Sequence, residues 1–174
     1  VQTCALPICH ATRAALGALK GHRGPVLVVY ADAPLLTTGS LQKLIDTCRS
    51  EKAAVGVLGF IARDPSPYGR LIVRNGTLEK IVESRDAVGA EREIEFCNSG
   101  VMCLDGGLIA ELLGAIGNAN AKKEYYLVDA VAIARARGHE AIAVEGDEAE
   151  MRPGLLRRMS ARRVLLRLQN NIMT

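Results

Sequence analysis

The chain has 174 residues, 49% of them hydrophobic and 24% charged, with a net charge of +3; that balance suits one folded domain with a sizeable core and excludes a disordered segment. No apolar run approaches the roughly 18 residues a bilayer-spanning helix needs, and no secretory signal pattern is present, so a cytoplasmic protein with no membrane partner is expected. Six arginines and no acid fall in residues 151–174, leaving 16 basic residues against 19 acidic ones before them, so the body of the chain is not a basic nucleic-acid binder.

The first residues, V-Q-T-C-A-L-P-I, read like one frame of a sequencing-adapter oligonucleotide, and residues 1–9 are expected to be foreign to the domain. Residues 10–20 then read as an alanine-rich helix closed by Gly21. A β-branched, apolar run at 26–31 reads as a strand buried on both faces. It ends in Asp32 and is followed by Pro34. The T-T-G-S segment supplies a helix start for 40–51, where Leu41, Leu44, Ile45 and Cys48 recur at helical spacing. Residues 53–62 form a second continuous apolar strand. Helix, strand, helix, strand is the pattern of a parallel sheet covered on both faces.

The middle of the chain changes character. Asn75-Gly76 stands between two runs of rough alternation, the strongest short hairpin signal, because both turn positions need positive φ. A strand at 94–104, a helix beginning at 105–109, a helix within 124–138 and a strand at 140–145 complete an α/β pattern over 10–150. The arginine-rich residues 151–174 read either as a basic amphipathic helix, with Leu155, Met159 and Leu166 among its apolar positions, or as a frameshifted tail.

The five cysteines, Cys4, Cys9, Cys48, Cys97 and Cys103, form no C-x-x-C pair and have no histidine at ligand spacing, so reduced and mostly buried thiols are expected. His10, His22 and His139 pair with no serine or cysteine nucleophile and are given no catalytic part. Asp32 stands at a strand's carboxyl end, where open α/β sheets gather their ligands. A carboxylate there suits a hard cation such as Mg2+, or equally a turn or helix cap. Gly69 is either a turn or a point of close backbone approach, and Glu83 either a ligand acceptor or a solvated acid. Asn98, inside an apolar strand, needs partners for its amide.

Five stretches in order, V-V-Y-A-D-A-P-L-L, P-Y-G-R, I-V-E, C-N-S-G and K-E-Y-Y-L-V-D, resemble the sugar-nucleotide pyrophosphorylases. The resemblance is to the N-terminal uridylyltransferase domain of the bacterial bifunctional N-acetylglucosamine-1-phosphate uridyltransferase / glucosamine-1-phosphate acetyltransferase family, and it covers residues 10–150. It implies a Rossmann-like nucleotide-diphospho-sugar transferase fold, mostly parallel, with helices on both faces and a projecting hairpin. It also implies an activity: UTP and N-acetylglucosamine 1-phosphate yield UDP-N-acetylglucosamine and pyrophosphate, with Mg2+ as cofactor, in cell-envelope precursor synthesis.

Carried over by position, the resemblance places Tyr30, Ala31 and Asp32 beside the nucleotide, with Asp32 on Mg2+. Ala31 stands where the family has glycine. Gly69 lies against the sugar nucleotide, Glu83 accepts from sugar hydroxyls, and Asn98 meets the sugar or its N-acetyl group. Tyr125-Tyr126 reads as packing rather than base stacking. The family's glycine-rich triphosphate loop would precede residue 1, its Gly-Ile/Val-Asn metal motif is not matched by M-R-P-G-L-L, and its trimerising acetyltransferase half has no counterpart here. An inactive fragment is the expectation, with a related hexose-1-phosphate nucleotidyltransferase or a non-catalytic sugar-nucleotide-binding module as alternatives.

Overall fold

The computed structural model describes residues 8–30, 33, 35–118 and 124–151. Ala31, Asp32, Pro34, Lys123, the adapter-like residues 1–7 and the tail from 152 lie outside the described residues. Helix α1 (Ile8–Ala14) runs into a 3-10 turn at Ala15–Gly17 and ends before Gly21, whose φ is +82°. Strand β1 spans Pro25–Val28, α2 Thr38–Ser50, β2 Val55–Ile61, β3 Arg70–Arg74 and β4 Thr77–Val82. After a 3-10 turn at Gly89–Glu93 come β5 (Phe96–Asp105), α3 (Ile109–Ala115), α4 (Asp129–Ala136), β6 (Ala141–Glu145) and α5 (Glu148–Met151).

These strands form one six-stranded sheet in the order β4-β3-β5-β2-β6, with β1 also paired to β5. The expectation of a mostly parallel sheet holds for strand direction and fails for pairing. Strands β1, β2, β3 and β6 run one way, but β5 lies between β1 and β2 and runs the other way, so β2–β6 is the one parallel ladder among the described residues. Strand β5 follows the hairpin through a turn at 84–86 and the 3-10 turn, without the α-helix that usually carries the crossover between parallel neighbours.

Both faces of the sheet are covered. On one, Val55, Val57, Met102 and Leu104 pack against Leu112 and Leu113 of α3 and Val131 and Ala134 of α4. On the other, Leu58, Phe60, Val101, Cys103 and Val144 pack against Leu44 and Cys48 of α2 and Met151 of α5. Period-two alternation along β5 thus feeds two cores at once. Helix α2 starts at Thr38, two residues before the expected Ser40, because within T-T-G-S the Thr37 side chain accepts from the Ser40 N–H at 3.2 Å and caps it.

Strand β1 departs from the expectation. It is four residues long, each of them half-buried, and Val29 beyond it is 42% exposed. Among the described residues β1 pairs with β5 alone, so its second edge is open and a full apolar run is not matched by full burial. The hairpin forms as expected: Asn75 and Gly76 have φ of 51° and 80° between β3 and β4.

Candidate functional site

A gap in the strand pairing locates the site. Along one edge of β5, Met102 to Asp105 face Val28 to Pro25 of β1, and Cys97 faces Arg70 of β3. Residues 98–101 between them have no strand partner on that edge among the described residues. Because β1 runs toward this gap, the gap lies at the carboxyl end of β1, where α/β sheets hold ligands.

Along the opposite edge β5 bulges. Met102 faces Val57 and Asn98 faces Gly59, so three residues, Ser99 to Val101, lie opposite Leu58. The C-N-S-G sequence supplies what the bulge needs. Ser99 Oγ donates to the Leu58 carbonyl at 2.6 Å and accepts from the Val101 N–H at 3.2 Å, while Asn98 Oδ1 accepts from the Gly100 N–H at 2.9 Å. Gly100 has φ +86°, and a Cβ on it would lie 2.2 Å from Tyr30 Cε2. Only glycine lets the Tyr30 ring close over the bulge.

Four of the six expected site residues line this margin. Tyr30 rests on Gly100, and two positions away the Asn98 N–H donates to the Gly69 carbonyl at 2.8 Å. Gly69 in turn lies beside the Val82 carbonyl, the residue before Glu83. Ala31 and Asp32 follow Tyr30 toward the gap and lie outside the described residues. A Cβ at Gly69 would meet nothing nearer than 3.5 Å, and its φ is not positive. Neither packing nor a positive φ requires glycine at this position.

Supporting residues fix the margin from behind. Tyr68 packs edge-on against buried Phe60, with ring centroids 5.0 Å apart, and so pins the segment that presents Gly69. Arg70, which the reading of P-Y-G-R passed over, is 3% exposed; its guanidinium donates to the Tyr68 carbonyl and to the Arg92 carbonyl at 3.4 Å, and its Nε has no partner. Arg70 pairs with Val82 of β4 and with Cys97 of β5.

The aromatic pair of K-E-Y-Y-L-V-D divides its work. Tyr125 packs edge-on to His10 at 5.2 Å and receives the Arg13 guanidinium on its face at 4.6 Å. Burial pushes the Tyr126 phenol up, and the carboxylates of Glu124, then Asp86 and Glu83, add to this. The Asp129 carboxyl is raised by burial alone. Among the described residues no group of three histidine, cysteine or acidic side chains is placed to hold a metal ion, and Cys9, Cys48, Cys97 and Cys103 are free and buried.

No protein-family model matches the chain. Sequence relatives are close: it is 46% identical over 152 residues to the bifunctional protein GlmU of Rhodospirillum rubrum, covering 87% of this chain and 34% of that protein. To the bifunctional protein GlmU of Azorhizobium caulinodans it is 48% identical over 151 residues, covering 87% and 34%. The chain thus spans about a third of the length of the curated relatives it matches. In three dimensions it resembles a crystal structure assigned as a glucose-1-phosphate thymidylyltransferase from Bacillus anthracis in complex with a sucrose. The TM-score is 0.59 and the identity 15%, over 79% of this chain and 52% of that one, a likeness of fold.

Proposed function

Over 87% of its length this chain is a relative of the bifunctional GlmU proteins, and from that premise we propose that the gap beside β5 is the sugar-nucleotide cleft of a sugar-phosphate nucleotidyltransferase. The substrates are UTP and N-acetylglucosamine 1-phosphate, and the products UDP-N-acetylglucosamine and pyrophosphate. The observation that carries this is the Asn98–Gly69 hydrogen bond, which brings an amide and an unobstructed glycine together at the carboxyl end of β1 with Tyr30 and Glu83 on either side.

The reaction joins a sugar phosphate oxygen to the α-phosphorus of the nucleotide while the bond to the departing pyrophosphate breaks. Such chemistry asks for alignment and charge neutralisation more than for covalent help. With Oδ1 of Asn98 engaged by Gly100, the amide nitrogen is the end suited to donate to a sugar oxygen or N-acetyl carbonyl. Glu83 accepts from sugar hydroxyls, and Gly69 lets the sugar ring lie against the backbone. Asp32, two residues beyond Tyr30 and so within about 7 Å of chain, would hold Mg2+ with the substrate phosphates; one carboxylate plus phosphate oxygens is the donor set Mg2+ prefers. Bound there, the ion draws off charge at the reacting phosphates.

Calorimetric titration of UDP-N-acetylglucosamine into the protein in Mg2+ tests the reading. Saturable binding that Glu83→Gln and Asn98→Ala each weaken supports it; binding unaffected by both overturns it. A non-catalytic binding module would pass this test and release no pyrophosphate from UTP in the full-length relative.

A further inference from the structure

We propose that Cys48 of α2 and Cys103 of β5 are a peroxide-sensitive thiol pair that closes to a disulfide, forming a redox-modification site at the base of a cationic pocket remote from the sugar-nucleotide cleft. The proposal does not rest on the functional reading above.

Register and close approach place the two sulfurs together. Gly56 faces Cys103 across the β2–β5 ladder, and Cβ positions of such partners lie about 4.5–5.5 Å apart. Where a Gly56 Cβ would stand, the Cys48 sulfur comes within 2.2 Å instead. Glycine at 56 is therefore what admits the Cys48 thiol to the sheet face directly beside Cys103. Both thiols belong to one packed cluster, and each shifts the other's titration, Cys48 upward and Cys103 downward. Closing this contact to a bond requires side-chain rotation between elements already packed together.

Their surroundings differ from those of the other described cysteines. Both residues line a cavity of about 370 Å3 whose lining also carries Arg23, Arg49 and Lys52 against the single acid Asp105. The Cys48 side chain and the Arg49 charge favour the Cys103 thiolate against its burial, and its pKa falls below the usual thiol value, whereas that of Cys48 is raised. Burial pushes the Cys9 and Cys97 thiols up; Cys9 sits in the core on the opposite face of the sheet, and Cys97 shares the cluster of Cys48 and Cys103 but does not line their cavity. A small uncharged oxidant such as hydrogen peroxide fits the cavity.

The chemistry balances with that co-reactant. The Cys103 thiolate attacks one oxygen of hydrogen peroxide, the O–O bond breaks, and the departing hydroxide takes a proton from solvent to leave as water. The product is a sulfenic acid on Cys103. Cys48 sulfur then attacks the sulfenic sulfur; the S–S bond forms, the S–O bond breaks, and hydroxide leaves with the Cys48 proton as a second water. Two thiols are oxidised by two electrons in total, and one peroxide is reduced to two waters.

Peptide mapping of native protein treated with hydrogen peroxide, then denatured and alkylated, reads the outcome. The expected product links the Cys48 and Cys103 peptides with loss of two hydrogens, reverts under dithiothreitol, and leaves Cys9 and Cys97 open to alkylation. Cys48 and Cys103 oxidising no faster than Cys97 overturns the proposal. In Cys48→Ala, dimedone should trap a sulfenic acid on Cys103, while in Cys103→Ala it should leave Cys48 unlabelled; equal labelling contradicts the assigned roles. Arg49→Gln alters a side chain that is 63% exposed and keeps both sulfurs, so it holds the test open should either cysteine variant unfold. It should slow disulfide formation severalfold, and an unchanged rate overturns the part given to the cationic lining.

Discussion

The backbone N–H of Asn98 donates to the carbonyl of Gly69 at 2.8 Å, and this one bond joins the start of β3 to the bulge of β5 at the point where β1 ends. The Asn98 side chain meanwhile accepts from Gly100. One residue therefore holds the shape of the bulge and lies in the margin of the cleft. Asn98→Ala should lower stability by about 1 kcal/mol through the lost hydrogen bond and weaken UDP-N-acetylglucosamine binding about tenfold, an effect of about 1.4 kcal/mol. Denaturant unfolding and calorimetry on the same variant separate the two; a stability loss with unchanged affinity would restrict Asn98 to structure.

Gly100→Ala should be more damaging to the fold. A side chain at φ +86° costs about 1 kcal/mol, and a Cβ 2.2 Å from the Tyr30 ring adds an overpacking penalty of about 1–3 kcal/mol. Combining it with Tyr30→Ala should recover the overpacking part and leave the backbone part. Additive effects in that double-mutant cycle would show that the ring does not close over Gly100.

Much of this was legible in the sequence, for identifiable reasons. Asn75-Gly76 announced the hairpin because its turn demands positive φ at both residues, and Leu44 and Cys48 announced the buried face of α2. C-N-S-G stood out because an amide within an apolar strand must be satisfied. What stayed hidden depends on partners distant in sequence. The antiparallel insertion of β5 between β1 and β2 leaves no local mark, since a strand covered on both faces reads the same in either direction. Half-burial of β1 follows from its open second edge, which the run of valines does not report. Arg70 is buried between β4 and β5 and against the Tyr68 and Arg92 carbonyls, and Tyr125 turns toward α1; the doublet itself does not say which ring goes there.

Tyr68 and Phe60 offer a check on how the Gly69 segment is pinned. A double-mutant cycle replacing both rings with leucine should return a coupling of about 0.5–1.5 kcal/mol. Hydrogen exchange at the Asn98 amide should speed up in Tyr68→Leu. An unchanged exchange rate would mean that the ring contact does not hold Gly69 in register.

The hairpin is tied to the 3-10 turn by Lys80, which donates to Glu91 Oε1 at 3.0 Å, while Glu91 Oε2 accepts from the Val88 N–H at 3.2 Å. The Lys80 hydrogen bond first, and the Val88 N–H second, hold the Glu91 carboxyl below its ordinary value. A depressed carboxylate adds stability above its unfolded pKa and loses it as pH falls through the folded one. Glu91→Gln should therefore lower Tm at about pH 7 and make little difference at about pH 2. A destabilisation of the same size at both would assign the effect to packing.

Mapping backbone amide shifts by nuclear magnetic resonance, as UDP-N-acetylglucosamine is titrated into the protein in Mg2+, bears most directly on the cleft. The account predicts saturable shifts centred on Gly69, Glu83, Asn98 and Gly100, with smaller ones at Tyr30. Shifts that leave those residues still, or that gather instead at Arg23, Arg49 and Lys52 on the far pocket, would contradict it.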